Sequence, residues 1–345
     1  MKFGIRLPVN GPFASKKAIV QIAKLADEMG FDSIWTQGHM LWTRLQHETQ
    51  VSVGSVEALS KSQNDPIIFD SITTLSHLSA LTTNVKLGFS VFVVPLIHPI
   101  VAAKQLADLD VLSDGRLIFC TAAGGPLIKS DFEALGLDFQ HRAELTDEYS
   151  EAILKLWTSD AASFKGKHVS FENVTLYPKP RQTPHPQMWV AGGDPNAISR
   201  VAKYGTGWML TTADPRSILK RPADYAEKFQ RMNKEARSKY SRSVKDYALD
   251  IFACVSPKEG EASQIAAKTI HARLNRQSEA GKLDVPSQSD IESVNLIGSA
   301  KSVLEKVDEF EKAGVTLLEM KMISWSLEQM IEMMKIFHDD IMSSF

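Results

Sequence analysis

The chain has 345 residues, of which 43% are hydrophobic and 23% are charged, a composition typical of an ordered globular protein. The 39 Lys and Arg residues nearly balance the 41 Asp and Glu residues, and a net charge of -2 offers no basic surface for nucleic acid or an anionic membrane. Because the length exceeds that of one ordinary compact core, we expect either two domains or one large single-domain fold.

Apolar runs and helical repeats alternate from the first residues onward. KFGIRLP, which begins at Lys2, predicts a strand, and residues 15–30 carry apolar side chains at helical spacing and end at a glycine, which predicts a helix. FDSIWT predicts the second strand. After a polar passage, Asp65 as N-cap and Pro66 at the first helical position predict the start of the next helix, and VKLGFSVFVV predicts the third strand.

The same alternation continues to the end of the chain. The fourth to eighth strands are predicted, with helical sequence between them, at RLIFCTA, MWVAGG, GWMLTT, YALDIFACVS and LLEMKMIS. Residues 163–180 alternate without a helix and contain two prolines near their end, which predicts a hairpin outside the main sheet. Parallel strands joined by helices, eight in number, predict an α/β fold of the (β/α)8 TIM-barrel type and not an open doubly wound sheet.

Two long polar segments leave the carboxyl ends of predicted strands. Residues 41–64 follow the second strand, and residues 256–295 follow the seventh. Barrel enzymes place their chemistry at this end of the strands. We therefore interpret residues 1–345 as a single barrel domain in which 256–295 is an insertion or lid, with a merely solvated insertion as the alternative.

A glycine pair ends the fifth predicted strand. Gly192 and Gly193 are followed by a helix that begins near Asp194, so backbone N–H groups and a helix N-terminus point the same way. Thr211 and Thr212 add hydroxyl groups at the end of the adjacent strand. This pattern predicts an anion site that fits a phosphate; the alternative is that the glycines only turn the chain.

The chain resembles the bacterial luciferase-like family of flavin- and deazaflavin-dependent oxidoreductases, the luciferase-like monooxygenases. The resemblance lies, in chain order, in GFDSIWTQGH, LTTNVKLGFSVFVVPLIHPIVAAKQLADLDVLSDGRL, DFEALGLDF, WVAGGDPNAISRVAKYGTGW and GSAKSVLEKVDEFEKAGVTLLEM. It implies a (β/α)8 barrel with an insertion after strand seven that holds reduced FMN or the deazaflavin coenzyme F420 at its carboxyl face. The motifs are most similar to the deazaflavin branch, and the resemblance also implies a small-molecule substrate and a homodimer.

The resemblance assigns cofactor contacts to particular residues. In similar proteins the cofactor phosphate lies where Gly192, Gly193 and the Thr211 region fall here. A non-prolyl cis peptide in strand three backs the cofactor ring in such proteins, and the matching bond here joins Ser90 to Val91. Both residues are therefore expected at the cofactor.

Two loops depart from the family pattern. His39 matches a histidine that takes part in catalysis in deazaflavin members, but Gly38 stands where an aspartate commonly precedes it. Gly124 and Gly125 are expected beside the cofactor, and Gly125 replaces the acidic residue of the sugar-phosphate dehydrogenases. The sequence therefore argues against that activity and leaves His39 as the catalytic candidate, with a structural histidine as the alternative.

The remaining candidates are mostly structural. Trp42 is expected to line the substrate pocket because it lies in a polar loop, whereas Trp35 and Phe89 fit either the pocket or the core. His98, before a proline, is expected to begin a helix. The two cysteines lie in apolar stretches and are interpreted as buried, inert thiols, and no metal-ligand spacing is present, so no metal is expected.

Several functional alternatives remain at the level of sequence. The enzyme would transfer hydride with reduced deazaflavin or insert oxygen with reduced FMN. A non-catalytic flavin-binding protein and a cofactor-free barrel lyase or aldolase are the rivals, the latter without a lysine at a strand end to support it. The chain shows neither the apolar core of a signal peptide nor an apolar run long enough to span a bilayer, so we expect a cytoplasmic protein.

Overall fold

Residues 1–41, 67–211, 222–271 and 287–345 are described in a computed structural model. The strands are β1 (Lys2–Arg6), β2 (Ser33–Thr36), β3 (Lys86–Phe89), β4 (Phe92–Val93), β5 (Leu117–Ala122), β6 (Ala162–Lys165), β7 (Ser170–Val174), β8 (Gln187–Ala191), β9 (Gly207–Thr211), β10 (Asp246–Val255), β11 (Leu296–Gly298) and β12 (Leu317–Met322).

Parallel strands close into a barrel with eight members. Neighbours run β1, β2, β3, β5, β8, β9, β10 and β12, and β12 pairs back with β1, with Leu317 opposite Lys2. β4 continues the path of β3 and pairs with β5. The predicted (β/α)8 barrel is confirmed, and the loops that follow the barrel strands therefore share one end of the molecule.

Helices separate the strands and cover the outside of the barrel. They are α1 (Lys16–Glu28), α2 (Ser71–Ser79), α3 (Pro99–Leu112), α4 (Lys129–Ala134), α5 (Arg142–Thr158), α6 (Pro195–Tyr204), α7 (Pro222–Tyr240), α8 (Glu261–Ala266), α9 (Gln288–Ser293), α10 (Ala300–Lys312) and α11 (Leu327–Ile336). His98 is the N-cap of α3, and its Nδ1 accepts a hydrogen bond from the Ile100 N–H at 3.4 Å, which confirms its expected structural role.

The predicted start of α2 is wrong. Asp65 and Pro66 lie outside the described residues, but Ile68 forms an isolated antiparallel bridge with Asn10 and is not helical. The helix begins at Ser71, because Asp70 is the N-cap and its Oδ1 accepts a hydrogen bond from the Thr73 N–H at 2.7 Å. A second aspartate, five positions later in the chain, therefore sets the boundary.

Two tryptophan rings fill the barrel lumen. Trp35 from β2 and Trp189 from β8 are 0% and 1% exposed, and their ring centroids lie 5.6 Å apart. A β-carbon at Gly88 would overlap the Trp35 ring, and one at Gly207 would overlap the Trp189 ring. Glycines on neighbouring strands thus leave room for the large rings, and Trp35 is a core residue. Phe89 is also fully buried in the core.

Two excursions leave the barrel. β6 and β7 form a separate antiparallel hairpin, as the sequence predicts. The described residues of the segment 256–295 contain α8, a π-helical turn at Ala267–His271 and α9. The short strand β11 follows this segment and pairs with the end of β10; it is not predicted from the sequence. No helix within the described ranges is both long and apolar enough to cross a bilayer.

Candidate functional site

The predicted site residues that the structure describes lie at the carboxyl end of the barrel. His39 follows β2, the pair Ser90 and Val91 follows β3, and Thr211 ends β9. The glycine pairs at 124–125 and 192–193 follow β5 and β8. Trp42 and Thr212 lie outside the described residues, so their expected roles stay predictions.

The peptide bond between Ser90 and Val91 is cis, as predicted. The Ser90 N–H donates to the Thr36 carbonyl at 2.6 Å, so this segment is held against β2. A β-carbon at Gly38 would overlap the Val91 carbonyl oxygen. Close approach of the two backbones is the physical reason for glycine at this position.

The Ser90 hydroxyl belongs to a buried charged cluster in the lumen, which we call the lumen cluster: Arg6, Ser90, Asp250, Glu319 and Lys321. Arg6 Nε donates to Glu319 Oε1 at 2.5 Å, and Arg6 Nη2 donates to Glu319 Oε2 at 3.0 Å and to Ser90 Oγ at 2.6 Å. Ser90 Oγ in turn donates to Glu319 Oε2 at 3.2 Å. Lys321 Nζ donates to Asp250 Oδ2 at 2.6 Å. The bidentate fork fixes the serine side chain in one orientation.

The two carboxyl groups of the lumen cluster differ in the direction in which their pKa values are shifted. Burial raises the pKa of Glu319, and the neighbouring Asp250 charge also raises it, against the lowering by Arg6. Burial also opposes ionisation of Asp250, but Lys321 and Arg6 together hold the pKa of Asp250 below its ordinary value. Glu319 is therefore the carboxylate of the cluster that takes up a proton first as the pH falls.

The glycine pair after β8 presents less of its backbone than the sequence predicts. The Gly192 N–H donates to the Met209 carbonyl at 3.1 Å, and the Gly192 carbonyl accepts from Trp208 Nε1 at 2.7 Å. Asp194 caps α6, because its Oδ1 accepts from the N–H groups of residues 196 and 197 at 3.0 and 3.1 Å. The N-terminus of α6 thus already holds a carboxylate, which leaves the exposed Gly193 as the open position of the pair.

A lysine stands beside this open position. The Lys228 Nζ of α7 would lie 3.9 Å from a β-carbon on Gly193. An ammonium group next to a backbone with no side chain is an arrangement that suits a phosphate. Thr211, at the end of the adjacent strand β9, is half-buried.

The loop after β5 is tied to its surroundings. Gly124 has φ of +87°, and a β-carbon there would lie 3.2 Å from Val93 Cγ1. Arg142 Nε donates to the Gly124 carbonyl at 3.2 Å, and the exposed Gly125 accepts from the Ile128 N–H at 3.1 Å. These contacts fix the position of the loop after β5.

The segment that carries His39 is anchored from α4. Asp131 is fully buried, and its Oδ1 accepts from the N–H groups of Met40 and Leu41 at 3.1 and 2.9 Å. His39 itself is half-buried. The structure therefore brings together the loops after β2 and β5, which the sequence treats separately.

Both cysteines are buried, as predicted. The Cys120 sulfur lies in the lumen 3.9 Å from the Met209 sulfur, and burial raises the pKa of this thiol. Burial also raises the pKa of Cys254 to about 12. Thiols with raised pKa values are poor nucleophiles at neutral pH. Within the described ranges, no group of His, Cys, Asp or Glu side chains is arranged as a metal site.

A model of the family described as luciferase-like monooxygenase matches residues 1–317. The chain belongs to the luciferase-like monooxygenase family. This membership confirms the family predicted from the motifs and makes the protein an oxidoreductase.

Curated relatives of this luciferase-like monooxygenase include two flavin enzymes. The FMNH(2)-dependent dimethylsulfone monooxygenase of Pseudomonas putida is 26% identical over 272 residues, which cover 71% of each chain. The oxygenase component of the flavin-dependent trigonelline monooxygenase of Acinetobacter baylyi is 23% identical over 316 residues, which cover 86% of this chain and 80% of the relative.

Solved structures share the barrel fold over the full length. Monooxygenase RslO1 from Streptomyces bottropensis has a TM-score of 0.77 at 21% identity and covers 100% of this chain and 99% of its own. An F420-dependent secondary alcohol dehydrogenase has a TM-score of 0.73 at 18% identity, and the match covers 99% of this chain and 98% of that chain. The relatives thus use FMNH2 or F420, the two cofactors that the sequence predicts for this family.

Several charged residues at the barrel mouth and in the lumen of this luciferase-like monooxygenase are not predicted from the sequence. Arg6, Glu319 and Lys321 are charged residues inside apolar strands, and this interruption is the signal that could have identified them. Lys228 and Asp131 gave no such signal, because a charged residue on a helix is ordinarily solvated. Only the packing of α7 and α4 against the barrel mouth gives those two residues a role.

Proposed function

We propose that this protein is a monooxygenase that uses reduced FMN to insert oxygen into a small organic substrate. The observation that carries the proposal is the likeness, over most of the chain, to two flavin-dependent monooxygenases. The sequence motifs favour the deazaflavin branch, but the two curated relatives named above are flavin enzymes, and that likeness supports our choice of reduced FMN.

The residues at the barrel mouth fit such a cofactor. Gly193 is exposed and carries no side chain, so a phosphate can approach its backbone closely, and Lys228 supplies a positive charge beside it. Asp194 already caps α6, so we assign the phosphate to Gly193, Lys228 and the Thr211 hydroxyl and not to the helix N-terminus. Ser90 and Val91 supply the surface behind the ring, and the loop at Gly124 and Gly125 lies at the same end of the barrel.

The chain's own groups position the reactants and move a proton. Reduced FMN, when bound, supplies the electrons with which O2 delivers one oxygen atom to the substrate and releases the other as water. Arg6 and Glu319 hydrogen-bond the Ser90 hydroxyl from the lumen, which holds the segment at Ser90 and Val91 in place behind the ring site. His39, in the loop that follows β2, donates or accepts a proton at the substrate, a role to which an imidazole side chain is suited.

We extend the proposal to the assembly and the lid. A homodimer is expected from the family resemblance, and exposed apolar side chains on α3, Val101 at 48% and Leu112 at 67%, offer a face for it. We expect the described part of the segment 256–295 to lie at the mouth, since α8 follows the carboxyl end of β10; residues 272–286, within the predicted lid, lie outside the described residues. Analytical ultracentrifugation of the wild type and of a Leu112→Glu variant tests the dimer.

The deciding experiment compares the two cofactors. We expect the purified protein to bind reduced FMN more tightly than reduced F420 in anaerobic fluorescence titrations. With 18O2 and a panel of small molecules headed by dimethyl sulfone and trigonelline, we expect one labelled oxygen atom in the product. Binding of F420 alone, with substrate reduction or oxidation independent of O2, would favour hydride transfer. If the protein binds neither cofactor, both oxygen insertion with reduced FMN and hydride transfer with F420 are excluded.

A further inference from the structure

The motif DFEALG carries part of the family resemblance, and its first residue has no part in the cofactor and substrate chemistry proposed for the barrel mouth. This residue, Asp131, is 0% exposed, and its Oδ1 accepts hydrogen bonds from the N–H groups of Met40 at 3.1 Å and Leu41 at 2.9 Å. The donors are 91 and 90 positions away in the chain. Asp131 Oδ2 is buried without a hydrogen-bond partner, so the two bonds to Oδ1 are the described contacts of this carboxylate.

The support under Asp131 is rigid. The next residue in α4, Phe132, is fully buried in a cluster with Val93 and Leu96, and its ring packs edge-on against Phe139 at 5.4 Å. By contrast, the side chains of Met40 and Leu41 are 38% and 48% exposed. Among the described residues, the hydrogen bonds that hold the backbone directly after His39 are therefore the two bonds to the Asp131 carboxylate.

We propose that Asp131 is a positioning residue for His39. Its carboxylate fixes the two peptide groups that follow the histidine, and this keeps the imidazole in one place at the barrel mouth. The proposal rests on the proposed function, in which His39 moves a proton at the substrate. Displacement of a reacting group by about 1 Å can lower a rate by about 100-fold, so two hydrogen bonds at this point have a large effect.

Asp110 provides a matched control. It is also 0% exposed, and its carboxylate accepts two hydrogen bonds from a distant residue, Gln182, through the backbone N–H at 2.9 Å and Nε2 at 2.7 Å. Gln182 precedes β8, at the amino end of the barrel. Loss of either carboxylate should lower the melting temperature to a similar extent, but only Asp131 holds the mouth.

The experiment compares Asp131→Ala, Asp131→Asn and Asp110→Ala in the full-length protein. We expect Asp131→Ala to lower kcat by about tenfold or more while cofactor affinity changes by less than about threefold. Asn keeps an oxygen acceptor in place of Oδ1, so Asp131→Asn and Asp110→Ala should keep kcat within about threefold of wild type. Hydrogen exchange at the Met40 and Leu41 amides, followed by mass spectrometry without cofactor, should accelerate in Asp131→Ala alone.

Equal losses of kcat in Asp131→Ala and Asp110→Ala, or an Asp131→Asn variant as impaired as Asp131→Ala, would overturn the proposal. Unchanged exchange at Met40 and Leu41 in Asp131→Ala would overturn it as well. If Asp131→Ala does not fold, Asp131→Cys, whose side chain has a similar volume and is only a weak acceptor, takes its place. A wild type without turnover would defeat the proposed function, and the exchange measurement would still decide whether Asp131 holds this loop.

Discussion

Gly192 and Gly193 differ in what a new side chain would meet. Gly192 has φ of +115°, a conformation that other residues rarely adopt, so a substitution there strains the backbone. A β-carbon on Gly193 would make only ordinary contacts, 3.5 Å from Leu210 Cδ2 and 3.9 Å from Lys228 Nζ. Gly193 is therefore the residue of the pair at which ligand approach can be tested without damage to the fold.

We expect Gly193→Val to weaken the binding of reduced FMN by at least about tenfold, on the order of 1.4 kcal/mol, because the side chain blocks approach of the phosphate. The melting temperature should stay close to that of the wild type. Fluorescence titration and differential scanning calorimetry give the two values. An unchanged dissociation constant in the folded variant would show that the phosphate binds elsewhere.

His39 can be separated from a structural histidine by its kinetics. A positioned acid or base contributes about 100- to 10,000-fold, so His39→Ala should lower kcat by that much while cofactor affinity stays within a few fold. The control is His338→Ala, which removes a partly exposed histidine near the end of the chain and should keep full activity. If kcat of His39→Ala falls by less than about threefold, far below the acid–base range, the proton comes from another group.

The lumen cluster should behave as a buried ion pair. Arg6→Met leaves the fully buried Glu319 carboxylate without its bidentate partner, so we expect a loss of about 3–5 kcal/mol in the free energy of unfolding. The double variant Arg6→Met with Glu319→Met should recover part of this loss, because no uncompensated charge remains at that position. Urea denaturation of the single and double variants measures the effect, and additive losses would contradict the pairing.

At the scale of elements, a carboxylate ties α1 to the turn before β3. Asp27 accepts backbone hydrogen bonds from Thr83, Asn84 and Val85, each at 2.8 Å. Burial opposes ionisation of Asp27, but these donors hold its pKa below the ordinary value. The ionised form therefore stabilises the fold above the unfolded pKa of about 4, and this contribution disappears as the pH falls through the lower folded pKa.

The stability difference between the wild type and Asp27→Asn should therefore depend on pH. We expect the wild type to be more stable at pH 7 and the difference to shrink below about pH 4, as Asp27 becomes protonated in the wild type. Urea denaturation of both proteins at several pH values gives the comparison. A difference that stays constant from pH 7 to pH 3 would mean that the charge of Asp27 has no part in holding the turn.

At the scale of the whole molecule, the barrel closes around the packing of Trp35 and Trp189. A β-carbon at Gly88 would overlap the Trp35 ring, so Gly88→Ala should lower the free energy of unfolding by about 1–3 kcal/mol. In a Trp35→Leu background the same substitution should have a smaller effect, with a coupling energy of at least about 0.5 kcal/mol. A double-mutant cycle measured by urea denaturation tests this coupling, and independent effects would argue against lumen packing as the cause.

The sequence predicts long, periodic elements better than their boundaries. Regular hydrophobic repeats identify the eight barrel strands and the hairpin formed by β6 and β7, because period and length are local properties. The predicted start of α2 is wrong because Asp65 and Asp70 are both acceptable N-caps. The pairing of Ile68 with Asn10 keeps residue 68 out of the helix and selects Asp70 as the N-cap. The short β11 was missed because three residues carry too little pattern.

The sequence by itself determines the barrel, the family and the residues at strand ends, because alternation of strands and helices places all carboxyl ends together. Only the tertiary structure shows that Asp194 caps α6 and that Lys228 stands beside Gly193. The lumen cluster and the two hydrogen bonds from the loop that carries His39 to Asp131 are likewise visible only in the tertiary structure. Each depends on side chains brought together from distant strands and helices, and no local pattern encodes such contacts.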